Sequence, residues 1–420
     1  MVGTTRVWAA IALGCLTLAV VVVALTRVPW STPPAPRADQ LAALRDMPAD
    51  AVARGRQFHA ALRPGSYGAL VLGLVIALVL GLTPLGARLV ELAGRPFGGN
   101  WVAQALLGGF AVVFVGELLA LPFAAWRETV LRRYGLSTQT WGSWTVDLLK
   151  AYAIAAVIGA VTLLGFYGVA RLTPRWWWAW VAVGAAGLTV LFSFIFPVLV
   201  EPVFNKFTPM PEGPLRTELL ALAERDGVPV KDVLVADASR RTRAVNAYVS
   251  GLGPTRRIVV YDTLLREAEP PEVVSVVAHE LGHAKDGDVT TGTLITALGA
   301  AAAVCGLYLL GSWTGLLRRA GVESLADPRG IALMIAVITV VGVLATPVQN
   351  LISRRIEARA DAHALALTGD ADTFEAMERR LALVNLADVD PNPVEHVLFA
   401  THPSTVERIA AARAYARGER

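Results

Sequence analysis

Residues 276–286 read Val-Val-Ala-His-Glu-Leu-Gly-His-Ala-Lys-Asp, and His279-Glu280-x-x-His283 within them has the spacing of a zinc-hydrolase helix. Residues four apart on a helix share a face, so His279 and His283 can direct two imidazole nitrogens at one zinc ion. Glu280 is then placed to take a proton from the water that such a metal activates. The stretch therefore predicts a hydrolytic zinc site, with one ion per chain.

The composition is that of a membrane protein. Of the 420 residues, 55% are hydrophobic and only 17% are charged. Seven apolar stretches are long enough to cross a bilayer as helices. They lie near residues 7–26, 68–90, 103–125, 149–170, 177–200, 290–313 and 330–349. The first stretch lacks a clear cleavage site, so we expect it to be a retained helix rather than a signal peptide.

Charge and cysteine content exclude other classes. The net charge is only +4, and the basic residues are scattered through loops, so no nucleic-acid partner is expected. Cys15 and Cys305 both lie inside apolar runs, which excludes a disulfide framework and a cysteine metal site. Frequent Arg, Ala, Gly and Val residues suggest a GC-rich, bacterial genome.

The polar residues divide the chain into four parts. We expect a membrane domain of five helices over 1–200, a first catalytic part over 201–289, two further membrane helices over 290–349 and a second catalytic part over 350–420. The first catalytic part contains an amphipathic helix over Pro214–Asp226 and candidate strands over 230–236 and Arg257–Tyr261. The second is almost wholly helical. Residues 31–64, rich in Pro, Ala and Arg, are expected to form a loop around a short helix.

Membrane topology places both catalytic parts on one face, because the two spans between them return the chain to the side that it left. The loops expected on that face hold Arg27, Arg37, Arg45, Arg54, Arg56, Arg63, Arg127, Arg132 and Arg133. The loops expected on the opposite face hold Arg88, Arg95, Arg171, Arg175, Arg318, Arg319 and Arg329. The positive-inside rule therefore predicts an integral, multi-pass protein of the bacterial cell membrane with a cytoplasmic catalytic face.

A third protein ligand is needed, since two histidines leave a zinc ion short of one. The candidates in the second catalytic part are Glu357, Asp361, His363, His396 and His402. Spacing favours Glu357, which shares a helical face with Asp361, the pattern in which a glutamate binds zinc and the later aspartate orients a zinc-bound imidazole. The alternative for this pair is a solvated helix face among nearby arginines. The expected fold is thus mainly α, a polytopic membrane protein carrying a zinc-hydrolase domain with a small β-sheet.

Further motifs extend over nearly the whole chain. They are Arg133-Tyr-Gly-Leu-Ser-Thr-Gln-Thr140, Val203-Phe-Asn-Lys-Phe-Thr-Pro-Met-Pro-Glu-Gly213, Val245-Asn-Ala-Tyr-Val-Ser-Gly251, Arg257-Ile-Val-Val-Tyr-Asp-Thr-Leu-Leu265 and Thr401-His-Pro-Ser404. With the histidine motif, they resemble the type I CAAX prenyl endopeptidase family of membrane zinc metalloproteases, which is related to the bacterial heat-shock membrane protease. The resemblance implies that the zinc-hydrolase domain is a gluzincin-type zinc metalloprotease domain.

The resemblance implies roles for further residues. Asn246, Ala247 and Tyr248 correspond to a strand edge that pairs with extended substrate, although an ordinary loop is the alternative. His402 corresponds to a histidine near the zinc that stabilises the oxyanion, and Arg408 corresponds to its supporting residue. For these two residues, the alternative is the start of a surface helix. Asp286 and Asp288 fit either support for the metal ligands or solvation of a helix end.

The expected function is a membrane-embedded zinc metalloendopeptidase, CAAX-prenyl-protease-like, acting in the lipid bilayer on a peptide or membrane protein. A prenylated substrate requires an organism that prenylates proteins. One alternative is therefore a quality-control protease with the same chemistry that cuts misfolded membrane proteins. Another is an inactive membrane scaffold or transporter.

Overall fold

The structure is a computed structural model that describes residues 2–31, 35–251 and 253–419, and its first half is a helical membrane domain. The helices are α1 (Val2–Arg27), α2 (Arg37–Arg45), α3 (Ala49–Leu82), α4 (Pro84–Gly94), α5 (Trp101–Arg133), α6 (Trp141–Leu172) and α7 (Trp177–Phe204). Five of them, all but α2 and α4, are long and apolar enough to cross a membrane. Helices α5 and α7 each contain one π-turn, at Gln104–Gly108 and Phe196–Val200.

The second half of the chain adds the catalytic elements and two more candidate spans. Its elements are β1 (Phe207–Pro209), α8 (Pro214–Asp226), β2 (Asp232–Ala236), β3 (Ala247–Ser250), β4 (Arg257–Tyr261), α9 (Asp262–Glu267), α10 (Pro270–Asp286), α11 (Asp288–Leu310), α12 (Thr314–Ala320), α13 (Ile331–Thr368), α14 (Ala371–Val384), α15 (Pro393–Phe399) and α16 (Thr405–Ala416). Helices α11 and α13 complete the seven candidate spans of the described ranges, so the predicted count is confirmed.

One segment differs from its prediction. Helix α3 begins at Ala49 and continues through Pro64, where a loop was expected over 31–64 around a single short helix. The reason lies in tertiary packing: Val52 and Phe58 are buried, and Phe58 packs against Val130 and Leu386 from distant parts of the chain. This burial offsets the cost of a proline inside a helix, about 3 kcal/mol.

A four-stranded sheet in the order β1-β2-β4-β3 lies against α10. Strands β2 and β4, predicted from the sequence, pair in parallel, and β1 and β3 join them antiparallel. Ile258 and Val260 of β4 are fully buried in one core with Val277 of α10. Strand β3 is therefore an edge of the sheet that lies beside the helix bearing the histidine motif.

Helix α10 is fixed at both ends by local sequence. Glu269 and Glu272 form a reciprocal capping box at its start, with Pro270 in the first turn. Its end is set by Gly287, whose φ of 67° is left-handed and favours glycine. Because α11 starts at the next residue, the turn at Gly287 connects the catalytic helix directly to a candidate membrane span.

Helix α13 connects the membrane domain to the site. At 38 residues it is about 57 Å long, well beyond the roughly 30 Å core of a bilayer, so its second half extends beyond the membrane. Its first half approaches α3 closely, since a Cβ placed on Gly81 would lie 2.4 Å from the Cβ of Ala336. This packing positions the half of α13 that carries Glu357 and Asp361.

Candidate active site

Three side chains from two helices converge at the centre of the site. His279 and His283 lie on α10, Glu357 lies on α13, and their candidate ligand atoms are all within 4.8 Å of one another. The Nε2 atoms of the histidines are 3.1 Å apart. Oε2 of Glu357 lies 3.2 Å from Nε2 of His279 and 3.7 Å from Nε2 of His283. The structure thus brings together the three residues that the sequence pattern selected.

The hydrogen bonds of the two imidazoles show that this cluster fits a cation. Nδ1 of His279 lies 2.8 Å from Oδ1 of Asp361, and Nδ1 of His283 lies 2.9 Å from Oδ2 of Asp288. If each Nδ1 carries the proton and donates it to its carboxylate, both Nε2 atoms present lone pairs to each other. Oε2 of Glu357 is buried without a hydrogen-bond partner. Three electron-pair donors facing one point are what a metal ion satisfies.

Without a metal, the two histidines hold protons strongly. Burial by itself lowers the pKa of His279, but the neighbouring carboxylates of Asp361 and Glu357 outweigh it and raise this pKa to about 10. Burial likewise opposes the interactions with Asp288 and Glu357 that raise the pKa of His283 to about 9. A metal ion must displace these protons, so its binding strengthens as the pH rises.

Glu280 is the candidate base. It lines a cavity of about 500 Å³ together with His283 and Glu357. Burial raises the pKa of the Glu280 carboxyl, and the two neighbouring histidines only partly oppose this effect. A carboxylate whose pKa is raised toward the working pH is suited both to accept and to return a proton.

His402 reaches the same cluster from the C-terminal segment. Its Nε2 lies 3.3 Å from Oε1 of Glu357, and its Nδ1 lies 2.9 Å from the hydroxyl of Thr401. Desolvation in the cleft lowers its pKa, although 58% of the side chain remains exposed. Ser404 and Glu407 form a capping box that begins α16 at Thr405, three residues after His402, and this fixes the backbone near His402.

Arg408 lies behind the cluster and connects it to a residue that the sequence did not reveal. Its Nε lies 2.8 Å from Oδ2 of Asp361, and its Nη1 lies 2.7 Å from Oε1 of Glu378. Burial raises the pKa of Glu378. Glu378 shares the buried face of α14 with Phe374 and Met377. A glutamate on an otherwise apolar helix face is the sequence feature that could have pointed to it.

Asp288 is a functional candidate whose role the sequence left open between support for a metal ligand and solvation of a helix end. Besides accepting from His283, it pairs with Arg359 of α13, which also contacts Asp286 through an Nε to Oδ2 distance of 2.7 Å. Asp288 is buried, whereas Asp286 is exposed. His363 bonds instead to Asp226, 3.0 Å away, outside the ligand cluster.

The strand edge has a defined hydrogen-bonding pattern. Ala247 and Tyr248 belong to β3, and the carbonyl of Asn246, just before it, accepts from the amide of Tyr261. Antiparallel pairing alternates, so Tyr248 directs its backbone groups toward β4, and Ala247 and Val249 direct theirs to the open side. The Tyr248 hydroxyl donates to Glu201 over 3.2 Å.

A histidine motif on a buried helix, an acidic third donor from a second helix and seven candidate spans define a membrane metalloprotease. Comparisons with known proteins agree. Residues 209–416 match the family model for peptidase family M48, and residues 65–206 match the model for the CAAX prenyl protease N-terminal region, described as five membrane helices.

Individual proteins give the same result. The chain is 31% identical over 303 residues to the CAAX prenyl protease 1 homolog of Arabidopsis thaliana, covering 70% of each chain. It is 29% identical over 305 residues to the uncharacterized metalloprotease YhfN of Bacillus subtilis, covering 71% of each. The crystal structure of S. mikatae Ste24p shares the fold, with a TM-score of 0.76 at 23% identity over 96% of this chain and 98% of that one. The chain belongs to peptidase family M48 and is a CAAX prenyl protease 1-like membrane metalloprotease.

Proposed function

We propose that the chain is a zinc-dependent endopeptidase in which His279, His283 and Glu357 hold one zinc ion. The observation that supports this assignment best is the pair of Nε2 atoms 3.1 Å apart beside a buried carboxylate oxygen without a partner. Two imidazoles and one carboxylate are a donor set typical of catalytic zinc. A zinc ion held by these three residues would still be able to bind substrate or water.

Metal content tests the ligand assignment. Detergent-purified wild-type protein should hold one zinc per chain, and Glu357→Ala should lose it. His363→Ala is the matched control, because His363 lies on the same helix but bonds to Asp226 outside the cluster. Equal zinc content in the Glu357→Ala and wild-type proteins would contradict the assignment.

The surrounding residues divide the chemistry between them. When bound, zinc supplies a Lewis acid that acidifies a water molecule and polarises the substrate carbonyl. Glu280 accepts the proton of the attacking water and returns it to the leaving amine. His402, as a neutral imidazole, donates from Nε2 to the oxyanion that forms on the carbonyl. Asp361 and Asp288 hold the Nδ1 atoms of the two ligand histidines, and Arg408 holds Asp361.

The edge strand β3 is proposed to align the substrate. An extended peptide added beside β3 pairs through backbone groups, which tolerates varied side chains. The outward-facing groups of Ala247 and Val249 supply these hydrogen bonds, while Asn246 and Tyr248 orient the strand through Tyr261 and Glu201. This pairing places a scissile bond above α10, against which β3 packs.

The proposed clients follow from the relatives. Several curated relatives are CAAX prenyl proteases, which supports a C-terminal peptide of a prenylated protein as substrate. The similarity to a bacterial metalloprotease favours a second candidate, an unfolded membrane protein, because bacteria generally do not prenylate proteins. Cleavage of a farnesylated C-terminal peptide, compared with its unmodified form and an unfolded membrane protein, separates the two.

We further propose that the protein lies in a bacterial cell membrane with its catalytic face in the cytoplasm. The arginine-rich loops beside the catalytic parts support this orientation, which rests on the proposed division into parts 1–200, 201–289, 290–349 and 350–420. Cysteines introduced at exposed Glu212 and Glu323, in a chain lacking Cys15 and Cys305, test it. A membrane-impermeant maleimide applied to intact cells should label position 323 and spare position 212; the reverse pattern would invert the orientation.

A further inference from the structure

A second cavity lies at the opposite end of the membrane helices from the metal cluster. Helix α11 starts beside the catalytic helix, is 23 residues or about 34 Å long, and ends at this opposite face. There, the first turns of α1, the connection between α6 and α7, the end of α11 and the loop after α12 line an open cavity of about 490 Å³, in which Arg6 and Arg175 are exposed. We call this cavity the distal pocket; its polar and aromatic lining includes Arg6, Arg175, Trp177, Tyr308, Ser312 and Ser324.

The distal pocket carries positive charge that the protein does not neutralise. Arg6 and Arg175 both line it, and the lining includes no acidic residue among the described ranges. Neither arginine forms an ion pair within the described part of the chain. Arg175 lies over the ring of Trp176 at 5.7 Å, a contact that orients the guanidinium without cancelling its charge. Two such groups in one cavity favour an anion.

The walls of the distal pocket are held by ring and hydrogen-bond contacts and offer hydroxyl groups. Trp177 is buried and packs edge-on against Tyr308, with ring centroids 5.5 Å apart. The Tyr308 hydroxyl donates to Thr5 over 2.9 Å, which ties α11 to α1. The Ser324 hydroxyl accepts from the amide of Ala326 at 3.1 Å, so its own hydrogen can be donated into the cavity.

The setting of the distal pocket selects a lipid. Next to the pocket, α1 exposes Val7, Trp8 and Ile11 on its outer surface, and Trp180 is exposed on α7. Tryptophans at this level are typical of the interface between headgroups and acyl chains. An occupant that presents a phosphate to the arginines and apolar chains to these surfaces matches both features.

We propose that the distal pocket binds the phosphodiester headgroup of an anionic phospholipid such as phosphatidylglycerol. The two guanidiniums bind the phosphate oxygens, and Ser324 donates a further hydrogen bond. Because the pocket joins α1 to α7 and α11, the bound lipid secures the first helix against the rest of the membrane domain.

Lipid binding to the full-length protein tests this proposal. In phosphatidylcholine nanodiscs with increasing phosphatidylglycerol, native mass spectrometry should detect one retained anionic lipid and thermal unfolding should shift upward. Arg6→Gln and Arg175→Gln should each weaken retention about tenfold, as expected for loss of one charge-assisted hydrogen bond. Arg95→Gln, on the same face but paired with Glu91, is the matched control and should bind like wild type.

Two results would overturn the proposal. One is equal lipid retention by the wild-type protein and the Arg6→Gln/Arg175→Gln double variant, with the variant shown to be folded by wild-type peptide cleavage in phosphatidylcholine. The other is an equal thermal shift from inorganic phosphate alone, which would make the distal pocket a simple anion site. If the double variant shows neither a normal unfolding transition nor peptide cleavage, it is misfolded, and the two single variants are used in its place. Lipid retention equal to wild type in both single variants would count equally against the proposal.

Discussion

Replacing Asp288 tests how His283, the second proposed metal ligand, is held. Asp288→Ala removes the acceptor of the His283 Nδ1 proton, 2.9 Å away, and leaves that imidazole free to change tautomer and orientation. Loss of such a partner typically weakens metal binding 10- to 100-fold, or about 1.4 to 2.7 kcal/mol. Asp288→Asn keeps an acceptor oxygen but removes the charge, so we expect a smaller loss than for alanine.

The assay is competition for zinc between the detergent-purified protein and a fluorescent chelator. Asp286→Ala is the matched control: Asp286 also contacts Arg359, but it is exposed, and the Nδ1 atom of His283 bonds to Asp288 instead. We expect the order of zinc affinity to be wild type equal to Asp286→Ala, then Asp288→Asn, then Asp288→Ala. Equal affinities for Asp288→Ala and Asp286→Ala would refute the reasoning that Asp288 acts through the histidine.

Three further outcomes are expected. In metal-free protein, the raised pKa values of His279 and His283 stabilise the fold fully below about pH 6.5, and this stability is lost as the pH rises through about 9 to 10. The melting temperature of chelator-treated protein should therefore fall over that window relative to its zinc-loaded form. Val249→Pro removes an outward amide and should reduce peptide cleavage while the protein stays folded. Tyr248→Pro should also lower the melting temperature, because it breaks the pairing of β3 with β4. Equal cleavage by Val249→Pro and wild type would count against substrate pairing. Glu378→Ala leaves the buried Arg408 without one of its carboxylate partners and should destabilise the protein by about 3 kcal/mol in thermal unfolding. An unchanged melting temperature would contradict a structural ion pair between Arg408 and Glu378.

The local part of the site could be predicted from the sequence. The spacing of His279 and His283 and that of Glu357 and Asp361 each follow from one helical period, which needs no tertiary information. The meeting of the two helices followed from topology, since an even number of spans separates the two catalytic parts. The structure confirms the predicted seven spans and the core of both predicted strands.

The rest depends on contacts between distant segments. Helix α3 continues through Pro64 because Phe58 packs on residues far along the chain, and no local signal reports that burial. Glu378 has a role only because α14 and α16 bring it against Arg408. Asp288 was undecided for the same reason: the turn at Gly287 folds it back toward His283, and the sequence pattern fits solvation equally well.

The most direct test of the central claim is peptide-bond cleavage by zinc-loaded Glu280→Gln, with metal content measured on the same sample. Glutamine keeps the shape of the side chain but cannot accept the proton of the attacking water, and a general base typically contributes 10²- to 10⁴-fold. We predict one zinc per chain in both proteins and cleavage by wild type alone. Cleavage by zinc-loaded Glu280→Gln at the wild-type rate would contradict the account.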